Sequence, residues 1–592
     1  MTRRIAGRLR SFGQLRWSRG AAIAFCAVLG TLLPVAFGLQ AGKPEPIIHD
    51  EWSYLLGAET FASGRLTNPS PPLPEFFEEP HVLVVPTYQS KYPPGQAIAL
   101  AIGTVIFGHP IWGVWLGCGL FAGSLCWMLQ AWVPRRWAVV ITTLSAATLG
   151  TTTYWAQSYW GGMLASAGAA LALGGIRRTL RAPTVASSAI AGIGLVVLAA
   201  TRPFEGVLSL LPSGVLLGRW LYLDRTLTLQ QKLRRVALPA GSIAAIGILC
   251  LGCYHQVVTG DPWRAPYQAH QDQYFHQGVF VFSPLREPER KPVARIAALY
   301  RLYAVPPVHG LALVKHVSAN LVTRLPSTVG AAFGVKMVRA ARRRPFYAGV
   351  LLWTALLVPI LGRRPGLTFF PVLAVGLAVE VAAWRFLPAR AYPLWLGTLV
   401  AAALCGLFLR HLRTSRWAGF FAATVATIVI GQAFVPWWFP HYVAPVVPVV
   451  MAAVAISVHR SAVRTRVPTE WLGVALIVMV VAHLVAASLL LGSIRAASRP
   501  GKSGLISDLE HKGGTHLVFV RYDSDYTPHR EWVFNAPDLT AAPVIFAHDL
   551  GADKNPELMA LYASRSVWVL HVSTRSTRLE PYPLSGTHRL PN

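Results

Sequence analysis

Ile47-Ile48-His49-Asp50-Glu51-Trp52-Ser53-Tyr54-Leu55-Leu56 lies between the first long apolar run and the next, and Lys91-Tyr92-Pro93-Pro94-Gly95 closes the same interval. Two adjacent carboxylates here open an amphipathic stretch at the edge of a segment apolar enough for a bilayer. Charge in that position needs a physical reason. An acidic pair at the water–lipid boundary can serve as a general base toward a substrate whose head group a lipid presents there. The plainer alternative is that Asp50 N-caps the following helix while Glu51 favours its positive end, a contribution of about 1 kcal/mol or less.

Outward from this interval the chain is mostly membrane-like. Of 592 residues, 53% are apolar and 13% charged, and apolar runs near span length recur too often for one soluble core to hide. Lys and Arg outnumber Asp and Glu 54 to 25, a formal charge of +29. Most of that excess sits in short loops between apolar runs, as membrane topology demands, so nucleic acid is not an expected partner. All six cysteines fall in apolar stretches, and Cys250 and Cys253, the one C-x-x-C, have no His or acidic partner in sequence. They read as small buried residues rather than metal or redox ligands.

The basic start, residues 1–20 with Arg3, Arg4, Arg8, Arg10, Arg16 and Arg19, places the N-terminus in the cytoplasm and makes 21–39 a retained anchor. The 40–110 loop, with the acidic pair, is then external. Residues 96–107 read as a shallow interfacial helix and 111–133 as the second span, because two spans here would put Arg135-Arg136 outside. Further spans follow at 138–153, 163–176, 187–200, 207–223 and 236–257, with Tyr154 to Trp160 external. A long external segment, 259–344, precedes spans near 346–361, 367–384, 393–409, 417–435, 443–458 and 471–491. The total for the 21–492 membrane domain is about thirteen, so the remaining 500–592 is extracytoplasmic; Arg342-Arg343-Arg344 conflicts with this count. No internal repeat is evident, which disfavours repeat-built transporters.

After Arg499-Pro500-Gly501 the composition turns soluble. Residues 516–522, 544–548 and 567–572 read as strands and 556–563 as a helix, a small α/β domain. Its Asp523, Asp525, His548, Asp549 and Asp553 read as turn formers before metal ligands.

The first loop resembles that of the GT-C glycosyltransferases, the group that includes the protein O-mannosyltransferases and the lipid A aminoarabinose transferases. In these an Asp or Asp-Glu pair follows the first helix, a short aromatic-rich helix comes next, and a basic residue precedes a Pro-Pro pair. Asp50-Glu51, the 52–61 stretch and Lys91 to Pro94 occupy those places. The resemblance implies a GT-C-like polytopic α-helical membrane protein with an extracytoplasmic α/β domain. It also implies an enzyme of the plasma (inner) membrane that moves a sugar from a polyprenyl-phosphate donor to a glycan, lipid or protein acceptor. No cofactor follows with certainty, although a divalent cation is compatible.

Sugar transfer from such a donor needs a base for the acceptor proton and a cation for the departing phosphate. Asp50 is the expected base, Glu51 its orienting or acceptor-holding partner, and Glu78 a further acid. Lys91, beside two rigid prolines, is the leading phosphate partner, with lipid snorkelling as its bland alternative. Arg202, fixed before Pro203, and Arg264, in an aromatic segment, are further phosphate candidates; Glu205 offers Arg202 a simple salt bridge instead. His49, Tyr54, Tyr92, His441 and Tyr442 complete the expected substrate side, with belt aromatics as the alternative for the last two. No P-loop or full G-x-G-x-x-G argues for a nucleotide-sugar donor. The competing readings are a transporter or flippase of lipid-linked sugars, favoured by Glu380 within a span, and a non-catalytic scaffold.

Overall fold

A computed structural model describes residues 18–151, 153–332, 417–465 and 502–583. The expected spans between 346 and 409 and at 471–491, with Glu380, Cys405 and the Arg342 to Arg344 run, lie outside the described residues. Within them the protein is a helical membrane protein carrying a small sheet-containing domain. Five helices are long and apolar enough to cross a bilayer: Arg19–Ala41 (α1), Ile111–Leu129 (α4), Pro203–Leu223 (α8), Leu229–Thr259 (α9) and the segment Pro440–Arg460. Ser18 caps α1 by accepting from Ala21 N at 3.0 Å.

Between α1 and α4 stand His49–Ala62 (α2) and Pro94–Phe107 (α3). A helix is expected at 96–107, and the latter is that helix. It spans only 14 residues, about 21 Å and short of a hydrocarbon core. Ile98, Ile102, Val105 and Ile106 are exposed along it, and Gly108, at φ +70°, ends it in the left-handed region. Gly103 of α3 and Gly113 of α4 meet backbone to backbone, which no side chain would permit.

Helices Arg135–Gly150 (α5), Met163–Thr179 (α6) and Val185–Thr201 (α7) follow, and α5 and α6 bury most of their residues in the main core. Cys26, Cys118 and Cys126 are buried as expected, but Cys250 and Cys253 are exposed on α9. That helix packs against α7 and leaves Leu238, Ile246, Ile248 and Leu249 exposed, so apolar composition there does not mark a core.

The 259–344 segment is richer than the sequence reading allowed. It holds Pro266–Tyr274 (α10), Ala294–Tyr303 (α11) and Gly310–Ala332 (α12). Lys315, His316 and Arg324 break the apolar run of α12 and hide it from hydropathy. Arg324 is nevertheless buried, because its guanidinium donates to the carbonyls of Gln432 and Val435 at the C-terminus of Ala418–Ala433 (α13), where a cation meets the negative end of the helix. Val447–Thr465 (α14) is entered through the 3-10 turn Pro440–Val446.

The C-terminal domain comprises Lys502–His511 (α15), Asn555–Leu561 (α16) and four strands, of which the sequence reading located three. These are His516–Tyr522, Val544–His548, Ser566–Val572 and Thr577–Pro581. Both Val544–His548 and Ser566–Val572 pair parallel to the central His516–Tyr522, and the last strand is antiparallel. Its core is not self-contained. Phe76 and Phe77, from the loop between α2 and α3, are fully buried against Leu517, Phe519, Ile545, Ala547 and Leu558.

Candidate active site

The α2 helix is seated by its own second residue pair. Glu51 Oε2 accepts from the backbone N–H groups of Ile47 (2.8 Å) and Ile48 (3.4 Å), and Oε1 accepts from Tyr159 N at 3.3 Å. Its carboxylate therefore does the capping that the sequence offered to Asp50. Asp50 is left facing a cluster of side chains.

Ser53, one turn along α2, donates to His81 O at 2.7 Å and meets Ser90 Oγ at 2.8 Å. Those bonds draw the 81–92 stretch alongside α2. As a result the Tyr92 hydroxyl donates to Asp50 Oδ1, and Tyr92 stacks on Tyr54 with ring centroids 4.4 Å apart. His49 Nδ1 lies 2.9 Å from Asp50 Oδ2, and the His49 and His81 rings meet edge to face at 4.4 Å. Burial alone would raise the Asp50 carboxyl, but His49, His81 and the Tyr92 hydroxyl overcome it and hold the group well below the usual carboxylate range. Its side chain keeps 15% exposure, so the site has an open edge.

Lys91 is 3% exposed. Aromatic faces hold its ammonium, 4.8 Å from the Tyr267 ring, 5.4 Å from Tyr92 and 5.8 Å from Phe275, and among the described residues it has no ion pair. Burial pushes it down to about 7 against the opposing pull of Asp50. His81 is also driven well below its ordinary value, by burial and then by Lys91. A carboxylate and a cation without a salt-bridge partner thus share one aromatic pocket.

The remaining expected residues fall into three groups. Arg202, at the C-cap of α7, lies 5.2 Å over the Tyr442 ring; Glu205 accepts instead from Gln432 Nε2 at 3.1 Å. His441 Nδ1 is 2.9 Å from the Tyr154 hydroxyl, and its ring contacts Trp160 at 4.5 Å and Tyr442 at 4.7 Å. These aromatics gather three chain-distant loops on one side. Arg264 belongs to a different cluster, pairing with Asp272 (3.0 Å) and Glu289 (2.8 Å). Glu78 accepts from Val293 N at 2.7 Å and lies 3.6 Å from Arg290, while its backbone carbonyl faces His548 Nε2 at 2.8 Å. Burial raises Glu78 to about 7, and it joins loop to domain.

Several neighbours of Asp50 and Lys91 come from outside the first-loop motif. His81 holds a left-handed backbone at φ +66°, an unusual conformation for this residue type. Tyr267 and Phe275 frame Lys91 from α10 and its end. His529 arrives from the C-terminal domain, its ring 5.8 Å from His49 and its Nδ1 3.3 Å from the Tyr303 hydroxyl. Arg295 fixes that loop by donating to Tyr526 O, Thr527 O and Arg530 O. Only a fold that returns the chain end to the first loop makes this neighbour visible. His49, Asp50 and His81 each offer a ligand atom within 4.8 Å of the other two, the one such group among the described residues.

No protein-family model and no curated protein matches the chain. Among solved structures it is similar to ArnT from Cupriavidus metallidurans bound to undecaprenyl phosphate, at 12% identity and a TM-score of 0.47, covering 92% of each chain. It is also similar to the Archaeoglobus fulgidus oligosaccharyltransferase. The apo form gives 12% identity and a TM-score of 0.41 over 94% of this chain and 69% of that one. The complex with Zn and sulfate gives 13% identity and a TM-score of 0.40 over 93% and 67%.

Proposed function

We propose that the protein is an integral membrane glycosyltransferase that moves a sugar from a polyprenyl-phosphate donor to an acceptor hydroxyl on the extracytoplasmic face. The observation that carries this reading is that an Asp50 carboxylate held below its usual range and a buried Lys91, without an ion pair among the described residues, both meet Tyr92 in one aromatic pocket. Asp50 takes the acceptor's proton as its oxygen attacks the anomeric carbon. The bond from that carbon to the phosphate oxygen breaks, and polyprenyl phosphate leaves with the electron pair. Lys91 meets the phosphate charge, with Arg202 on the Tyr442 side as the second cation. One displacement of this kind inverts the anomeric centre. Tyr54 and Tyr92 form a stacked wall against which a sugar ring can rest, and His441 and Tyr442 bound the opposite side. Glu51 supports the base by fixing the first turn of α2.

A transporter would place its ionisable groups near the bilayer midplane on broken helices, whereas this pocket belongs to the loops. The test is to extract lipid-linked sugars from cells lacking the protein and to complement them with wild type and Asp50→Asn. The expected outcome is one accumulated polyprenyl-linked sugar, cleared by wild type and not by the variant, with transfer lowered about 10²- to 10⁴-fold. Full clearance by Asp50→Asn would refute the assignment.

A further inference from the structure

We infer that the end of the helical bundle remote from Asp50 holds the phosphate headgroup of an anionic phospholipid. Three helix ends meet there. The Cys126 thiol, near the close of α4, lies 3.6 Å from Ala22 O at the start of α1, and Arg178, in the last turn of α6, donates to Trp127 O of α4 at 2.6 Å and to Gly174 O at 3.0 Å. The Arg178 guanidinium also stacks 3.9 Å from the Trp127 ring. That ring lies against Gly174 of α6, where a Cβ would collide with it. Arg178 is thereby fixed. Arg181 follows one turn on, its Nη1 3.5 Å from Ala131 O, and the charges of Arg19 and Arg181 both bear on Arg178.

Like charges gather here in stretches that carry no acid. Residues 18–44 and 80–204 contain neither Asp nor Glu, and the bonds of Arg178 and Arg181 reach main-chain carbonyls, which bring no full charge. The general bias of loop charge explains arginine on one side of a bilayer. It does not explain guanidinia held together against their own repulsion by a tryptophan face. The carbonyls at the ends of α4 and α6 offset part of that repulsion, and a phosphate between the guanidinia, with its oxygens matched to their paired N–H groups, offsets it further. Basic pockets between membrane helices take lipid headgroups in this way. A lipid is the better source than a free anion, because Val28 and Leu32, exposed farther along α1, continue the site as an apolar surface for acyl chains. The inference goes beyond the transfer reaction and does not depend on it.

The full chain, purified in detergent, is titrated with phosphatidylglycerol or phosphatidylcholine, and binding of the first lipid is read by native mass spectrometry. Phosphatidylglycerol should bind at least about 10-fold more tightly. Arg178→Gln with Arg181→Gln should weaken it roughly 10- to 30-fold and abolish the preference. Arg19→Gln with Arg181→Gln, which changes only exposed side chains, should do the same while leaving the Trp127 stack intact, so a fold damaged by losing Arg178 cannot imitate the result. Arg234→Gln with Arg235→Gln, equally exposed in another basic stretch, should leave both affinities unchanged. Equal affinity for the two lipids, a loss in the Arg234 pair as large as in the Arg19 pair, or displacement of the lipid by glycerol phosphate overturns the site. None of these outcomes bears on Asp50, so the enzyme proposed above stands or falls separately.

Discussion

At the residue scale Lys91 makes the sharpest demand. Burial brings its ammonium to about 7, far under the ordinary lysine value, so the empty site loses its positive charge as pH rises through neutrality. Affinity for a polyprenyl phosphodiester should therefore fall across that window, since the donor phosphate keeps its own charge. Lys91→Met should bind donor about 10- to 100-fold more weakly with no such pH dependence, which a binding titration at several pH values would read. The sign for stability runs the other way. Between about 7 and the unfolded lysine value the unfolded chain binds more protons at this position, so Lys91's burial costs least at high pH. Sequence made Asp50 and Lys91 legible because a loop motif put them in one interval. It gave Asp50 the base's role and Glu51 a supporting one, but not what seats Glu51, which is the convergence of backbone N–H groups of Ile47, Ile48 and Tyr159 on its carboxylate. Nor did it reveal that Arg264 meets Asp272 and Glu289.

At the scale of elements, the 3-10 turn Pro74–Phe77 acts as a plug. Phe76 and Phe77 occupy the space between the sheet and α16, beside further bonds from Asn535 N to Glu79 Oε1 (3.2 Å) and a Trp52–Phe534 stack at 5.4 Å. Replacing Phe77 by Ala should cost about 3–5 kcal/mol, with limited proteolysis cutting the 502–583 domain faster than in wild type. In sequence the 75–79 stretch offers Glu78 as an acid and gives no sign of the two phenylalanines' role, because composition averages over them. Helix α12 was missed for a related reason. Its buried Arg324 reads as polar in sequence, yet the carbonyls at the end of α13 supply what water otherwise would.

Across the whole molecule, the first loop packs against the C-terminal domain, which predicts that both lie on one face of the bilayer. Ser63→Cys and Asp553→Cys, in a chain whose native cysteines are replaced, should both react with an impermeant maleimide from the same side. Opposite sidedness would contradict the fold. Apolar helices among the described residues were readable because hydropathy marks them, whereas the return of the tail to Phe76 and Phe77 is a long-range packing event with no local trace. That return has a consequence for biosynthesis. The ribosome releases the plug early and its socket last, after the membrane region has been threaded. Until the final strands emerge, two phenylalanines of the first loop have no apolar surface to cover them, so a chain cut short before the C-terminal domain should expose them.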